Sequence, residues 1–203
     1  MKQICVPSNR QDMLDTVLLQ AEQLQQLQHK HLIRYIDCFV HTDEFDATFV
    51  VIVMPYFALG EITCLLQSNP RLAEAQLLQI GEQVASALCY LHTLQPAPIV
   101  HRDLKPENLL WDGQNVVLTD LETIRFMDQT YCPGSTGTYP YQAPEQIDRD
   151  MTSTKADIWA LGCVLYALAV RPAFPEIMHT QCRRPDFRNW VLDSLEAKQY
   201  SHK

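Results

Sequence analysis

The segment from His101 to Asn108 carries the residues whose types and spacing are best suited to chemistry. It reads His-Arg-Asp-Leu-Lys-Pro-Glu-Asn, so Lys105 follows Asp103 by two positions and Asn108 follows it by five. A carboxylate can orient a hydroxyl group and accept its proton, a lysine can stabilise a migrating phosphoryl group, and an amide oxygen can bind magnesium. Asp120, twelve residues after Asn108, can supply a charged metal ligand. The spacing therefore predicts phosphoryl transfer to a hydroxyl group.

Hydrophobic spacing predicts the elements that position this segment. Apolar residues at three- and four-residue steps predict helices over 12–28 and 77–94, and the nearly all-apolar stretch 154–170 is typical of a buried helix. The β-branched run 49–54 predicts a buried strand. Shorter strands are predicted at 99–100, 109–111 and 116–118, with a hairpin turn at Asp112-Gly113. The chemical segment would then lie on a loop between a long helix and a hairpin.

Composition excludes several classes of protein. A net charge of −8 argues against a nucleic-acid partner, and the longest apolar runs are shorter than the ~20 residues of a membrane helix. The seven cysteines are scattered and odd in number, which indicates reduced thiols and a cytoplasmic location, with the nucleus as the alternative. No glycine occurs in the first 59 residues, so no glycine-rich phosphate loop can lie there.

The chemical segment resembles the catalytic loop of eukaryotic protein kinases, H-R-D-L-x-x-x-N. Residues 137–145 resemble the end of a kinase activation segment, and 157–162 resemble the start of the central helix of the C-lobe. Lys105 and Thr138 together resemble the serine/threonine branch. The resemblance implies that Asp103 is the catalytic base, that Lys105 stabilises charge, and that Asn108 and Asp120 bind Mg²⁺.

The same resemblance implies an α+β, two-lobed protein-kinase-like fold with an incomplete N-lobe sheet and a mainly helical C-lobe. The implied boundaries are a partial N-lobe over 1–54, a hinge over 55–61, and a C-lobe over 62–203 that is shortened at its C-terminus. The family has two strands and a glycine-rich lid before the strand matched by 1–6. We expect this chain to lack them.

An ATP site is implied by the same resemblance. Lys2 matches the phosphate-binding lysine, and Asp120 contributes through the metal. The other implied contacts are Met54 as gatekeeper, Pro55 and Phe57 in the hinge, Glu61 near the ribose, and Leu110 against the adenine. Core packing explains Met54 and Leu110 equally well, and a carboxylate at the start of a helix explains Glu61 more simply.

Five further residues match structural or regulatory positions of the family. Gln20 stands where the family has the glutamate that pairs with the phosphate-binding lysine, so this clamp lacks a charge. Arg102 could pair with a phosphate on the activation loop, and Thr138 is expected to contact the catalytic acid and lysine. Glu145 closes the activation segment, and Asp157 is expected to hold the catalytic-loop backbone.

The metal loop, Asp120-Leu121-Glu122, departs from the Asp-Phe-Gly of the family. Glu122 removes a flexible glycine and adds a carboxylate beside the metal. The main prediction is a serine/threonine protein kinase that transfers the γ-phosphoryl group of ATP to serine or threonine of a protein substrate. A regulatory protein is a further candidate partner. The alternative is a catalytically weak or inactive pseudokinase scaffold that binds nucleotide or a partner protein.

Overall fold

The computed structural model describes residues 1–7, 11–68, 72–121, 125–126, 137–138, 141–147 and 153–170. Within these ranges a small sheet with one helix comes first along the chain, and a larger, mainly helical part follows. None of the helices described there is long and apolar enough to cross a membrane.

A three-stranded antiparallel sheet forms the first part of the molecule. Its strands are β1 (Lys2–Val6), β2 (Asp37–Thr42) and β3 (Thr48–Val53), in the order β1-β3-β2. The β-branched strand β3 lies in the middle, and Val50, Val51 and Ile52 are buried, which confirms the predicted buried strand. Strand β2 was not predicted, because its sequence does not alternate between apolar and polar residues. In the structure its last four residues are all exposed.

Helix α1 (Gln11–Gln25) packs against β2 and β3 through an apolar face that includes Ala21 and Leu24. The predicted helix extends three residues too far. After Gln25 the chain leaves the helix, and Leu32 and Ile33 run beside Leu118 through backbone hydrogen bonds, including Ile33 N to Leu118 O at 2.8 Å. This segment joins the sheet to the helical part.

The helical part is built on α3 (Glu74–His92) and α5 (Thr154–Val170), which pack against each other. Both predicted helices are present, although α3 begins three residues earlier and ends two residues earlier than the predicted range. Helix α5 is not buried on all sides, because Ile158 is half exposed. Shorter helices are α2 (Ile62–Ser68) and α4 (Pro144–Ile147).

Four short strands and a 3₁₀ turn lie between α3 and α4. They are β4 (Ile99–Val100), the turn Pro106–Asn108, β5 (Leu109–Trp111), β6 (Val116–Leu118) and β7 (Arg125–Phe126). β5 and β6 form the predicted hairpin, and the Asp112 carboxylate accepts backbone hydrogen bonds from Gln114 and Asn115 in its turn. The predicted strand β4 pairs with β7, and neither β7 nor this pairing was predicted from the sequence.

One hydrophobic core joins the two parts. Leu24 and Ile33 reach it from the α1 side, Leu88 from α3 and Val164 from α5, while Leu118 and the fully buried Leu121 lie between them. A small antiparallel sheet with separate helices confirms the predicted α+β class. The boundaries at 54/55 and 61/62 stay predictions.

Candidate active site

Asp103, Lys105 and Thr138 form a closed triangle of hydrogen bonds. Lys105 Nζ donates to Asp103 Oδ2 at 2.7 Å and to Thr138 Oγ1 at 2.9 Å. Thr138 Oγ1 in turn donates to Asp103 Oδ1 at 2.8 Å. Both oxygens of the Asp103 carboxylate are therefore oriented by neighbours, one of which is 35 residues away in sequence. The structure brings together these three residues, which the sequence analysis singled out.

A buried carboxylate on α5 fixes the backbone of the loop that carries Asp103. Asp157 is 1% exposed, and its two oxygens accept hydrogen bonds from the backbone N–H groups of His101 and Arg102, each at 2.8 Å. Arg102 has a φ of 73°, which is uncommon for a residue other than glycine. The two hydrogen bonds hold the loop in this conformation. This geometry agrees with the holding role expected for Asp157.

His92 is a structural residue that the sequence analysis missed. Its Nε2 lies 2.8 Å from Asp157 Oδ2, so the imidazole N–H donates to the same carboxylate that holds the loop. The residue is at the end of α3, where its sequence context gives no sign of a partner 65 positions away. The one feature of the sequence that could have pointed to His92 is its position at the end of α3, the helix before the loop that carries Asp103.

The His101 ring links the loop to the segment before Asp120. Its Nε2 lies 2.9 Å from the Thr119 carbonyl oxygen, and its Nδ1 accepts a long hydrogen bond of 3.4 Å from the Asp103 N–H. These partners assign the proton to Nε2. The fully buried ring therefore fixes Asp103 relative to the residues that lead to Asp120.

Asn108 and Asp120 come together beside Asp103. Asn108 Nδ2 lies 2.8 Å from the Asp103 carbonyl oxygen and 3.3 Å from Asp120 Oδ2. Because the amide nitrogen is used in this way, the amide oxygen is the Asn108 atom suited to a cation. A carboxylate and an amide oxygen are ligands that Mg²⁺ prefers, with its other positions filled by phosphate and water oxygens. The residues fit a magnesium ion.

A metal site built entirely from protein side chains needs at least three ligand side chains close together. In the described part of the chain, no three side chains of histidine, cysteine, aspartate or glutamate come together as a metal site. The Asn108 and Asp120 pair therefore suits a metal that arrives with a ligand of its own. Glu122, which could add a third oxygen, lies outside the described residues.

Lys2 reaches the site from the edge of the sheet. Its Nζ forms an ion pair with Asp120 Oδ1 at 2.5 Å. Gln20, which was matched to the position of the lysine's partner in the family, is half-buried on α1 and makes no side-chain hydrogen bond to another described residue. Burial raises the pKa of the Cys38 thiol on β2, and the negative charges of Asp37 and Glu22 add to this rise.

The predicted hinge residues lie next to the β5 strand. Trp111 N donates to Gly60 O at 2.9 Å, and Glu61 pairs with Leu110 in an isolated antiparallel bridge. Met54, Phe57 and Leu110 are half-buried against the core, whereas Pro55 is exposed. Of these five predicted contacts, the structure pairs Glu61 with Leu110 directly. The geometry suits both interpretations of Met54 and Leu110, as core residues and as ligand contacts.

The Phe57 backbone meets one requirement of an adenine site. Its carbonyl oxygen accepts a hydrogen bond from Gly60 N at 3.0 Å, which turns the chain after the hinge. Its N–H makes no hydrogen bond to any of the residues that the structure describes. A purine base can accept a hydrogen bond from a backbone N–H that the chain itself does not use.

Gly137 brings Thr138 to the catalytic loop. A Cβ placed on this glycine would lie 2.6 Å from the Arg102 carbonyl oxygen, and its φ is 109°. The Gln142 side chain donates to the Gly137 carbonyl oxygen at 3.1 Å and supports the close approach. Tyr141 follows three residues after Thr138 and is buried. Burial and the negative charge of Glu107 raise the pKa of the Tyr141 hydroxyl.

Arg102 and Glu145 complete the set of predicted residues. Arg102 is 7% exposed, and its Nε has no hydrogen-bond partner among the described residues. Glu145 is half-buried in α4, at the end of the segment that begins with Gly137. Most of the activation segment and residues 171–203 lie outside the described residues.

Comparison with known proteins connects this geometry to a family. The protein kinase domain matches residues 1–200. Serine/threonine-protein kinase Nek2 of Homo sapiens is 34% identical over 161 residues, which cover 74% of this chain and 36% of the relative. Serine/threonine-protein kinase atg1 of Dictyostelium discoideum is 34% identical over 161 residues, which cover 74% of this chain and 23% of the relative.

A third relative shows the same level of similarity. Serine/threonine-protein kinase 36 of Pongo abelii is 34% identical over 154 residues, which cover 74% of this chain and 11% of the relative. The chain thus spans little more than a third of these relatives at most. Since the kinase domain matches nearly the whole sequence and all three relatives are serine/threonine kinases by name, the chain belongs to the protein kinase family, in its serine/threonine branch.

Proposed function

We propose that this chain is a serine/threonine protein kinase that transfers the γ-phosphoryl group of ATP to a protein hydroxyl group. The substrate hydroxyl oxygen forms a bond to the γ-phosphorus, and the bond from that phosphorus to the β–γ bridging oxygen breaks, which releases ADP. The hydroxyl proton passes to the Asp103 carboxylate. A bound Mg²⁺ supplies positive charge to the phosphate oxygens, and Asn108 and Asp120 would hold it.

The observation that carries this proposal is the Asp103, Lys105 and Thr138 triangle. Thr138 fixes one oxygen of the Asp103 carboxylate, and Lys105 fixes the other while it presents a positive charge at the same point. A hydroxyl group that approaches Asp103 therefore meets an oriented acceptor and a cation together. Positioning and electrostatic stabilisation of this kind account for most of the catalysis of phosphoryl transfer.

We propose that the nucleotide lies between Lys2 of β1 and the hinge at residues 55–61. Lys2 would bind the phosphates, the Phe57 N–H would meet the adenine, and Leu110 would pack on the ring. Glu61, which pairs with Leu110 in the bridge between the hinge and β5, would approach the ribose. All three relatives are serine/threonine-protein kinases by name, which favours the enzyme over the pseudokinase scaffold.

The test is phosphate transfer from labelled ATP to a protein rich in serine and threonine. We expect Asp103→Asn to reduce incorporation by about 100-fold or more, because the general base is lost while the side-chain shape is kept. Asp15→Asn removes a carboxylate from the exposed side of α1 and serves as the matched control with normal activity. Equal incorporation by Asp103→Asn and by the unmodified chain would refute Asp103 as the base.

A second measurement separates the enzyme from the scaffold. ATP with Mg²⁺ should raise the melting temperature of the enzyme and of a nucleotide-binding scaffold, but only the enzyme should incorporate phosphate. A shift without incorporation would favour the nucleotide-binding scaffold, and no shift at millimolar ATP would favour a scaffold that binds a partner protein. We further propose a cytoplasmic location, with the nucleus as the alternative, on the grounds of the scattered cysteines.

A further inference from the structure

The two peptide groups that flank Thr138 are both held by residues further along the chain. The Gly137 carbonyl oxygen, on the N-terminal side, accepts a hydrogen bond from Gln142 Nε2 at 3.1 Å. The Thr138 carbonyl oxygen, on the C-terminal side, accepts one from Tyr141 N at 2.9 Å. Because peptide groups are planar, fixing both of them fixes the direction in which the Thr138 side chain leaves the backbone.

The Gln142 side chain lies in buried surroundings against Gly137. Gln142 is 3% exposed. A Cβ placed on Gly137 would lie 3.4 Å from Gln142 Cγ and 2.6 Å from the Arg102 carbonyl oxygen. The Gly137 backbone therefore lies close to both the Gln142 side chain and the catalytic loop. Among the residues that the structure describes, Gln142 supplies the one hydrogen bond found at the Gly137 carbonyl oxygen.

This hydrogen bond is one that an amide can make and a hydrocarbon side chain cannot. A carbonyl group that loses its donor in partly buried surroundings needs water or another partner in its place. Rotation of the peptide between Gly137 and Thr138 would turn the carbonyl oxygen toward water. The same rotation would turn the Thr138 hydroxyl away from Asp103 Oδ1, which it contacts at 2.8 Å.

We propose that Gln142 is a positioning residue for phosphoryl transfer, which acts through Thr138 on the Asp103 carboxylate. The path runs from the Gln142 amide to the Gly137 carbonyl group, and from the Thr138 hydroxyl to Asp103 Oδ1. The effect of Gln142 on the base is therefore indirect. This inference rests on the proposed function, since it assumes that Asp103 is the base.

The variant Gln142→Met removes the amide and keeps the length of the side chain. We expect it to lower kcat by about fivefold, the factor in rate that corresponds to one ordinary hydrogen bond. The KM for ATP should stay unchanged, because the residues proposed to bind the nucleotide lie elsewhere. Steady-state kinetics with labelled ATP measures both quantities.

A double-mutant cycle shows whether Gln142 acts through the Thr138 hydroxyl. In a chain that carries Thr138→Val there is no hydroxyl to position. Adding Gln142→Met to that chain should therefore cause no further fall in kcat. If the two losses multiplied instead, Gln142 would act by another route, and the inference would be wrong.

Gln146 provides a matched control for the loss of a buried amide. It is 6% exposed, and its Oε1 accepts a hydrogen bond from Ala143 N at 2.9 Å. Gln146→Met should leave kcat close to that of the unmodified chain, because this amide holds the start of α4 and not the Gly137 carbonyl group. A fall in kcat equal to that of Gln142→Met would overturn the specific role of Gln142.

Amide hydrogen exchange tests the same contact without a measurement of activity. We expect Gln142→Met to speed up exchange of the Tyr141 N–H by about fivefold, because the turn that it closes with Thr138 loses a support. Unchanged exchange or unchanged kcat overturns the inference, and in either case the Asp103→Asn experiment still decides whether the chain is a kinase. Thermal melting shows that each variant is folded, and Gln142→Leu replaces Gln142→Met if the latter is unstable.

Discussion

The Gly137 backbone passes so close to the Arg102 carbonyl oxygen that an added Cβ would lie only 2.6 Å from it. This approach puts Thr138, the next residue, within hydrogen-bonding distance of Asp103. We expect Gly137→Ala to lower the free energy of unfolding by about 1–3 kcal/mol through strain at a positive φ. It should also lower phosphate transfer, because the clash moves Thr138 away from Asp103.

Gly162 provides a matched control for Gly137→Ala. It lies on an exposed side of α5, and apart from the neighbouring helix backbone a Cβ at this position would meet no atom of the described residues within 4 Å. Gly162→Ala should raise the free energy of unfolding by up to about 1 kcal/mol, as expected for alanine in a helix. Denaturant unfolding measures both variants. If the two alanines had the same effect, the close approach at Gly137 would be unimportant.

The Thr138 hydroxyl both accepts from Lys105 and donates to Asp103, so its loss should affect the rate more than the fold. We expect Thr138→Val to lower kcat by about tenfold or more, because a hydrogen bond to a charged group is worth about 1.5–3 kcal/mol. Thr138→Ser keeps the hydroxyl and should retain most of the rate. Steady-state kinetics with saturating ATP provides the comparison, and equal rates for valine and serine would contradict the role of the hydroxyl.

Local chemistry explains why the catalytic segment could be predicted from sequence. Asp103, Lys105 and Asn108 lie within six consecutive residues, so their spacing alone indicates the reaction. The helices were also predictable, because the three- and four-residue spacing of apolar positions such as Val84 and Leu88 is a local property.

Long-range contacts explain what the sequence did not predict. The partners His92 and Asp157 are 65 residues apart, and Lys2 and Asp120 are 118 apart, so no local pattern relates them. Strand β2 was missed for a related reason. Its exposed residues, such as Phe39, do not alternate with buried ones, and only its pairing with β3 makes it a strand.

The hydrogen bond from His92 to Asp157 leads to a prediction about stability. We expect His92→Leu to lower the free energy of unfolding by about 1–3 kcal/mol, because it removes a partner from a carboxylate that is 1% exposed. His92→Gln can still donate from its amide and should lose less. Thermal and denaturant unfolding of the two variants test this order. A leucine variant as stable as the unmodified protein would contradict the role assigned to His92.

His29 leads to a prediction about pH. Its ring stacks on Tyr90, its Nδ1 accepts from the His31 N–H at 3.2 Å, and its Nε2 lies 3.2 Å from Ser86 Oγ. Burial and the neighbouring His31 lower the pKa of His29 below its usual value of 6.5. The unfolded chain therefore binds this proton more tightly than the folded one does. The protein should lose stability as the pH falls from above 6.5 through the lowered pKa.

The variant His29→Phe isolates this contribution, since phenylalanine can stack on Tyr90 but cannot be protonated. We expect the unmodified protein to be the more stable of the two at pH 7.5, because it keeps the hydrogen bonds of His29. Its advantage should shrink toward pH 5.5. Urea unfolding of both proteins at several pH values measures this difference. An advantage independent of pH would show that His29 does not titrate differently in the folded state.

Gln20 tests how far the resemblance to kinases extends into α1. If Gln20 occupies the position of the family's glutamate, Gln20→Glu supplies a carboxylate that draws Lys2 away from Asp120. We expect the variant to bind ATP with Mg²⁺ about threefold more tightly, a factor within the range of a partly exposed ion pair. Gln23→Glu adds the same charge at an exposed position of α1 and should leave the affinity unchanged. Equal affinities for the two variants would mean that the match of α1 to the family is shifted, and that another residue of the helix faces Lys2.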